Sequence, residues 1–281
     1  MRRLLRPIVS KSLRIGLRRP ICVPTTLGFR LWVHAEDMLS VVMASGFHER
    51  EEVRIFRRLQ LKPGSVVDAG ANVGFFSLLF SKLYPACSIH AIEANPYAAM
   101  RLKANLDANP NLSKRISLHE CAAGDSEATV RLSCLPGAKG HAWGTVWETV
   151  WDTSTDGLVT YEVRMRRVED LVSAPLRLLK IDVEGFEFEV LKGAERLLEE
   201  RPIIMIEVAL GYLIQRPGVY QKELELANRW DYSLFVVQHG RFVPYELGHG
   251  QRVNVWMIPE EVKSKGHIGS VPILPRLRRP R

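Results

Sequence analysis

Two acidic, glycine-bearing turns stand 114 positions apart, measured from Asp68 to Asp182: Val66-Val67-Asp68-Ala69-Gly70-Ala71-Asn72-Val73-Gly74 and Leu179-Lys180-Ile181-Asp182-Val183-Glu184-Gly185. In each, an apolar run ends in a carboxylate and then breaks at glycine just ahead of a helical pattern. Ligands of open α/β sheets bind outside the carboxyl ends of the strands. Two such ends in one chain predict a cofactor on one and group chemistry on the other.

In the first turn, Gly70 and Gly74 allow the backbone to approach a ligand closely and to adopt dihedrals closed to other residues. A second strand, Ser88–Ile92, ends in Glu93, 19 positions after Gly74. A carboxylate there suits the hydroxyls of a ribose. To this point a nicotinamide cofactor and S-adenosyl-L-methionine fit equally. A dinucleotide fold wants GxGxxG, because its pyrophosphate sits against bare backbone at a helix N-terminus. Here Asn72 occupies the middle glycine position, and no Lys-Ser/Thr follows, so the turn is not a P-loop either. A ligand without phosphate but with an ammonium group would value Asp68, and S-adenosyl-L-methionine is such a ligand. The alternative for this turn is a plain strand–turn–helix with structural glycines. In Cys121-Ala122-Ala123-Gly124-Asp125-Ser126, Asp125 is placed either to accept from an adenine amine or simply to make an Asp-Ser turn.

The second turn sets Asp182 and Glu184 within three positions at the sheet edge. Paired acids there are costly without a partner, which points to a cation or to proton transfer. Methyl transfer brings a sulfonium beside a nucleophile, and a hydroxyl nucleophile must shed its proton as the bond forms. Asp182 is expected to serve both needs, by charge and as general base. Glu184 either shares that work or stabilises the following helix dipole, an effect of about 0.3–1 kcal/mol. His141 is an alternative base or metal ligand. No HExxH-type spacing occurs, so the sequence requires no metal.

Strands that carry these turns are expected near 65–69, 87–92, 115–121, 176–181, 202–208, 231–237 and 252–258. Helices are expected near 49–59, 73–84, 96–109, 186–200 and 218–229. Such alternation implies an α/β fold, a mainly parallel sheet with helices on both faces. Between 122 and 166 the rhythm changes. β-like runs Ala128–Ser133 and Val159–Met165 flank a loop at 136–157 rich in Gly, Thr and Trp. Trp143, Trp147 and Trp151 recur every four positions, as an aromatic lid over a substrate or as rings folded onto the sheet.

The chain has 281 residues, 46% hydrophobic and 25% charged, enough to bury a sizeable core in one domain with extensions. Its net charge of +8 is unevenly placed. Residues 1–20 hold seven Lys/Arg and residues 262–281 hold six, with no acid in either. The remainder sets 26 basic residues against all 31 acidic ones, so the body is mildly acidic and a basic nucleic-acid groove is not expected. The organisation read from this is a basic amphipathic tail (1–20), an N-terminal extension of short strands and a helix (21–60), a catalytic domain (61–260) and a basic disordered tail (261–281). Leu5, Val9, Leu13 and Leu17 at helical spacing among arginines suit contact with an anionic membrane surface, a transit peptide or a solvated tail. The four cysteines form no CxxC pair, no apolar run spans a bilayer, and the N-terminus lacks an apolar h-region. A cytoplasmic protein, peripheral to the membrane at most, is expected.

Together these residues resemble the FkbM family of S-adenosylmethionine-dependent methyltransferases. The likeness runs from about Glu51 to Val237 and rests on Lys62-Pro63-Gly64, VVDAGANVGFFS, AIEANP, CAAGDSEATV, LLKIDVEGFEFEVLKGAE and PIIMIEV. It implies a class I, Rossmann-like methyltransferase sheet of seven strands, the last pair an antiparallel hairpin. It places Asp68, Gly70, Asn72 and Gly74 at the methionine end, Glu93 at the ribose, Asp125 on the adenine side and Asp182 near the transferred methyl. Such proteins are mostly O-methyltransferases of sugars, glycans and polyketide-type natural products. One departure is Arg166-Arg167-Val168-Glu169-Asp170-Leu171, where the family reads Thr-Leu-Asp-Asp, and substrate contacts there are expected to differ. The function expected is methylation of a hydroxyl on a glycan or small molecule. An NAD-dependent oxidoreductase and a non-catalytic membrane-associated scaffold are the rivals.

Overall fold

The computed structural model describes residues 19–34, 37–134, 144–145, 159–209, 225, 227–245, 252–268 and 270–273. The described residues open with an antiparallel hairpin, β1 (Ile21–Pro24) and β2 (Arg30–Val33), followed by helices α1 (Met38–Ala44) and α2 (Arg50–Phe56). Strand β3 (Gly64–Ala69), helix α3 (Phe75–Leu83), strand β4 (Cys87–Ile92), helix α4 (Pro96–Asp107) and strand β5 (Ile116–His119) then alternate. A smaller sheet follows from β6 (Ala122–Ala123), β7 (Ala128–Cys134), β8 (Gly144–Thr145) and β9 (Val159–Arg166), in the order β6-β9-β7-β8. Alternation resumes with β10 (Leu176–Ile181), α5 (Glu187–Lys192) and β11 (Ile203–Ala209). It closes with β12 (Tyr232–Gln238), β13 (Arg241–Pro244) and β14 (Arg252–Pro259).

The main sheet runs β13-β12-β14-β11-β10-β3-β4-β5. Pairings from β5 through β11 are parallel, and those of β14, β12 and β13 are antiparallel. The sheet is therefore mixed and has eight strands, where seven were expected. The additional strand is β13, which the Gln238–Arg241 turn folds back onto β12. Burial alternates with period two. Val66 and Leu178 face a core with Phe56, Phe75, Phe80 and Trp256, while Val67 and Leu179 face one with Val190, Leu198 and Ile204. Both faces being covered explains why these strands read as continuous apolar runs.

The chain steps one way from β3 to β4 and β5, and the other way to β10 and β11, so order reverses between β3 and β10. A crevice opens at such a switch point. The two turns far apart in sequence are neighbours there: Asp68 pairs in register with Lys180, and Asp182 N–H donates to the Ala69 carbonyl at 3.0 Å.

The N-terminal extension is pinned to α4. Asn105 and Asn109 accept from the backbone N–H groups of Trp32 and Arg30, each at 2.8 Å. Asp37 caps α1 through the amides of Leu39 and Ser40, and its carboxylate meets Arg101 at 2.6 Å, both side chains buried. At the other end, the tail expected to be disordered from 261 is ordered where it is described. Residues 260–263 form helix α6, and 267–268 pair antiparallel with 271–272, with Val271 fully buried and Ile273 bridged to Phe242. The expected 186–200 helix is α5 followed by a 3-10 turn over 195–200. Among the described residues no helix is long and apolar enough to cross a membrane. The 1–18 stretch, most of the 136–157 loop with its tryptophans, and most of the 218–229 helix lie outside the described residues.

Candidate active site

A cavity of about 230 Å³ lies at the switch point. Of the residues expected there, Gly70, Asn72, Glu93, Asp182 and Glu184 line it. The GANVG turn shapes its floor. Gly70 has φ 77°, and a Cβ on it would stand 1.8 Å from the Asp182 carbonyl oxygen, so the close approach of the two turns demands glycine. Asn72 is also left-handed, at φ 50°, and its N–H donates to Glu93 Oε2 at 2.7 Å. The other oxygen of Glu93 accepts from Asn95 N–H, also at 2.7 Å. Each oxygen of Glu93 thus holds one backbone amide and keeps a lone pair for a further donor. Burial pushes this carboxyl up to about 7.

Asp68 is fully buried and does not line the cavity. Ser77 Oγ donates to it at 2.6 Å, and Lys180 Nζ lies 3.6 Å away. Burial raises its pKa, with Lys180 pulling the other way. Its place is beneath the site, holding Lys180, rather than against a ligand's ammonium. Gly74 likewise stands behind the lining, as the left-handed cap of α3 (φ 84°), packed so that a Cβ would meet Leu102. Asp125 turns away as well. Lys192 Nζ donates to it at 2.7 Å, which holds its pKa below the usual carboxylate range. Its neighbours Cys121, Ala122 and Ala123 face the cavity instead, with apolar surface. His141 lies outside the described residues.

The second turn supplies the charge. Lys180 is 1% exposed, donates to Asp182 Oδ2 at 3.2 Å and lies over the Phe76 ring at 5.0 Å. Burial would lower its pKa, but Asp182, Asp68 and Glu49 outweigh burial and hold the ammonium charged. Glu184 adopts φ 56° at the lip of the turn. Gly185 N–H donates to Glu187 Oε1 at 2.9 Å, and burial pushes the Glu187 carboxyl up to about 7.

Sequence reasoning passed over four lining residues with charged or imidazole side chains: His48, Glu49, Lys180 and Glu207. Lys180 was visible inside the second turn, where a charge within an apolar run two positions before Asp182 was the available signal. Glu207 follows the apolar run of β11 in the same way that Asp182 follows that of β10. His48 and Glu49 sit in the extension before α2, and a His-Glu pair at a helix start is a weak signal. Glu49 is held left-handed at φ 39° and makes no side-chain cap bond to its helix. Glu49, Asp182 and Glu207 each bring one carboxylate oxygen within 4.8 Å of the others. Leu39, Met43, Phe75 and Phe76 give the cavity an apolar flank.

Read from its edge strand β5 inward, the strand order, with a carboxylate ending the second strand of the alternating series and an acidic turn across the switch point, defines a class I, Rossmann-like methyltransferase fold. The family described as the methyltransferase FkbM domain matches residues 68–232, and the chain belongs to that family. Methyltransferase sdnD of Sordaria araneosa is 31% identical over 156 residues, 46% of this chain and 60% of that protein. The 31-O-demethyl-FK506 methyltransferase FkbM of Streptomyces tacrolimicus is 27% identical over 164 residues, 49% of this chain and 62% of that protein. The matched stretches thus span about three fifths of these curated relatives' length. Among solved structures, methyltransferase FkbM from Methylobacillus flagellatus KT aligns with a TM-score of 0.46 at 16% identity, over 89% of this chain and 58% of that one. M. jannaschii TYW2 in complex with AdoMet aligns at 0.43 and 15%, over 86% and 85%.

Proposed function

We propose that the protein transfers a methyl group from S-adenosyl-L-methionine to a hydroxyl group of a glycan or natural product. The observation that carries this reading is the charge of the cavity. Among the described residues its lining holds five carboxylates, Glu49, Glu93, Asp182, Glu184 and Glu207, against one lysine already bound to Asp182. A ligand with a positive centre and no phosphate matches that field. A dinucleotide's pyrophosphate would be repelled, and the Asn72 amide at the middle-glycine position is already given to Glu93. The donor set fits the cofactor: Glu93 has acceptor capacity for ribose hydroxyls, and Cys121, Ala122 and Ala123 offer an apolar wall for a base.

When bound, this cofactor supplies an electrophilic methyl on a sulfonium. Asp182, with Glu49 and Glu207 close by, stabilises positive charge at that point. Lys180 fixes Asp182 in place. Leu39, Met43 and the phenylalanines exclude water from one side, and holding the acceptor in line is the main rate contribution. The name of the Streptomyces relative, an O-demethyl compound's methyltransferase, supports oxygen as the acceptor atom. The mildly acidic body supports a small-molecule or glycan acceptor over a nucleic acid. The basic tail at 1–20 is assigned to peripheral contact with an anionic membrane from the cytoplasmic side.

Calorimetric titration with S-adenosyl-L-methionine and with NAD tests the cofactor, and labelled methyl incorporation into hydroxylated acceptors tests the reaction. Binding of the first alone, with S-adenosylhomocysteine released only when an acceptor is present, is expected. NAD binding, or cofactor binding with no transfer to any hydroxylated acceptor, would overturn the reading in favour of an oxidoreductase or a scaffold.

A further inference from the structure

We propose that His48 is the group that takes the proton from the acceptor hydroxyl during transfer. The proposal rests on the reading of the cavity as a hydroxyl methyltransferase site. His48 reaches the cavity from the N-terminal extension, on the flank formed with Leu39, Met43, Phe75 and Phe76. Its ring packs edge-on to Phe75, with centroids 5.0 Å apart at 87°, which fixes the imidazole plane. Asp182, the base expected from sequence, accepts from a buried ammonium at 3.2 Å. That contact engages the carboxylate and keeps it oriented toward Lys180. Its place in the site suits electrostatics better than proton transfer.

Glu49 completes the arrangement. Its backbone is held in the left-handed region, a strain that surrounding structure must sustain and that gathers at functional sites. In that conformation its Oε1 stands 3.6 Å from His48 Nε2. The charged groups facing the imidazole are therefore Glu49, Lys180 and Asp182. Burial first and Lys180 second push the His48 pKa down to about 4, with Asp182 opposing, so the ring is neutral and able to accept at pH 7.

So low a pKa still suffices. As the new O–C bond forms, the acceptor oxygen takes on oxonium character, and its proton becomes far more acidic than an imidazolium. In balance, O–C forms, the C–S bond breaks with its electron pair left on sulfur, and the hydroxyl proton passes to His48. One positive charge disappears from the sulfonium as one appears on the ring. A cavity lined with carboxylates then holds the same total charge before and after, and Glu49 stands beside the product imidazolium.

The test uses the full chain, S-adenosyl-L-methionine and a panel of macrolactones and methyl glycosides as hydroxyl acceptors. The expectation for His48→Ala is cofactor affinity within about threefold of the parent by calorimetry, with turnover at least about 100-fold lower. Added imidazole should restore turnover in proportion to its free-base fraction, and methylimidazoles should do so according to their basicity, which merely refilling a hole would not reproduce. Independently of turnover, the ring signal of His48, assigned by its loss in His48→Gln, should stay in the neutral form down to about pH 5. Parent-like turnover in His48→Gln, or a ring protonated at pH 7, overturns the proposal. A parent protein that binds no cofactor or methylates no acceptor overturns instead the reading on which it rests, and this proposal with it.

Discussion

Each residue of the site is defined by what its side chain already holds. Glu93 carries one backbone amide on each oxygen and has capacity for two more donors. Removing it in Glu93→Ala should weaken S-adenosyl-L-methionine binding by about 10- to 100-fold, the loss of one or two charge-assisted hydrogen bonds of about 1.5–3 kcal/mol. Calorimetry checks this, and unchanged affinity would detach Glu93 from the ribose. Asp182→Asn should leave affinity within a few-fold but lower turnover about 10- to 100-fold, because it removes charge where positive charge is transferred. Release of S-adenosylhomocysteine measures that split. Equal losses in affinity and turnover would make Asp182 a binding group only. Asp68, read from sequence as touching the cofactor, is a counterion to Lys180 one layer below. Its residue type was informative, but its depth depends on how α3 brings Ser77 over it.

At the scale of elements, the site exists because β3 and β10 end side by side. Gly70 is the contact point of the two turns, and Gly266 is a useful control. Both have φ above +70°, but nothing lies within 4 Å of a Cβ at Gly266. Gly266→Ala should lower stability by about 1–2 kcal/mol, the left-handed backbone alone. Gly70→Ala should lower it by several kcal/mol more, or prevent folding, since backbone on both turns must move. Denaturant melts of the two variants compare them directly, and equal losses would contradict the contact. The α5 turn makes a second prediction. Burial raises the Glu187 carboxyl from 4.5 to about 7 in the folded protein. Between those values the folded state binds more protons than the unfolded, so this group destabilises as pH rises through the window and fully above it. Glu187→Gln keeps an acceptor for Gly185 N–H but removes the titration. Its stability relative to the parent should rise by on the order of 2–3 kcal/mol from pH 5 to pH 8. A parallel pair of pH–stability curves would refute this. His48, with its pKa lowered, acts in the opposite sense, adding stability to both proteins as pH rises from about 4 to 6.5.

For the molecule as a whole, the N-terminal extension is part of the site. It contributes Leu39, Met43, His48 and Glu49 to the cavity, and its anchor is the buried Arg101–Asp37 pair with the Asn105 and Asn109 bonds to β2. Arg101→Ala leaves Asp37 buried without its cation, a loss of about 3–5 kcal/mol. Thermal melting should show that loss, and limited proteolysis should cut first between β2 and α2. Protection there equal to the parent's would show that the anchor lies elsewhere. Asn105 of α4 and Asn109 just after it find their partners on a hairpin 73 and 79 positions earlier, a pairing that no local sequence pattern shows.

The amino-acid sequence by itself determined the alternating α/β pattern, the strand-end turns and the family to which they belong. Those are local: apolar runs, glycines and carboxylates at short spacing carry them, and the helix expected near 96–109 begins at Pro96 as α4. Only the tertiary structure decided that Asp68 lies under the site, that Asp125 faces Lys192, and that Lys180 pairs with Asp182. It also decided that an eighth strand closes the sheet and that His48, 134 positions before Asp182, shares its cavity. Depth and partnership depend on packing between distant segments, and a side chain's charge and basicity follow from them rather than from its neighbours in the chain.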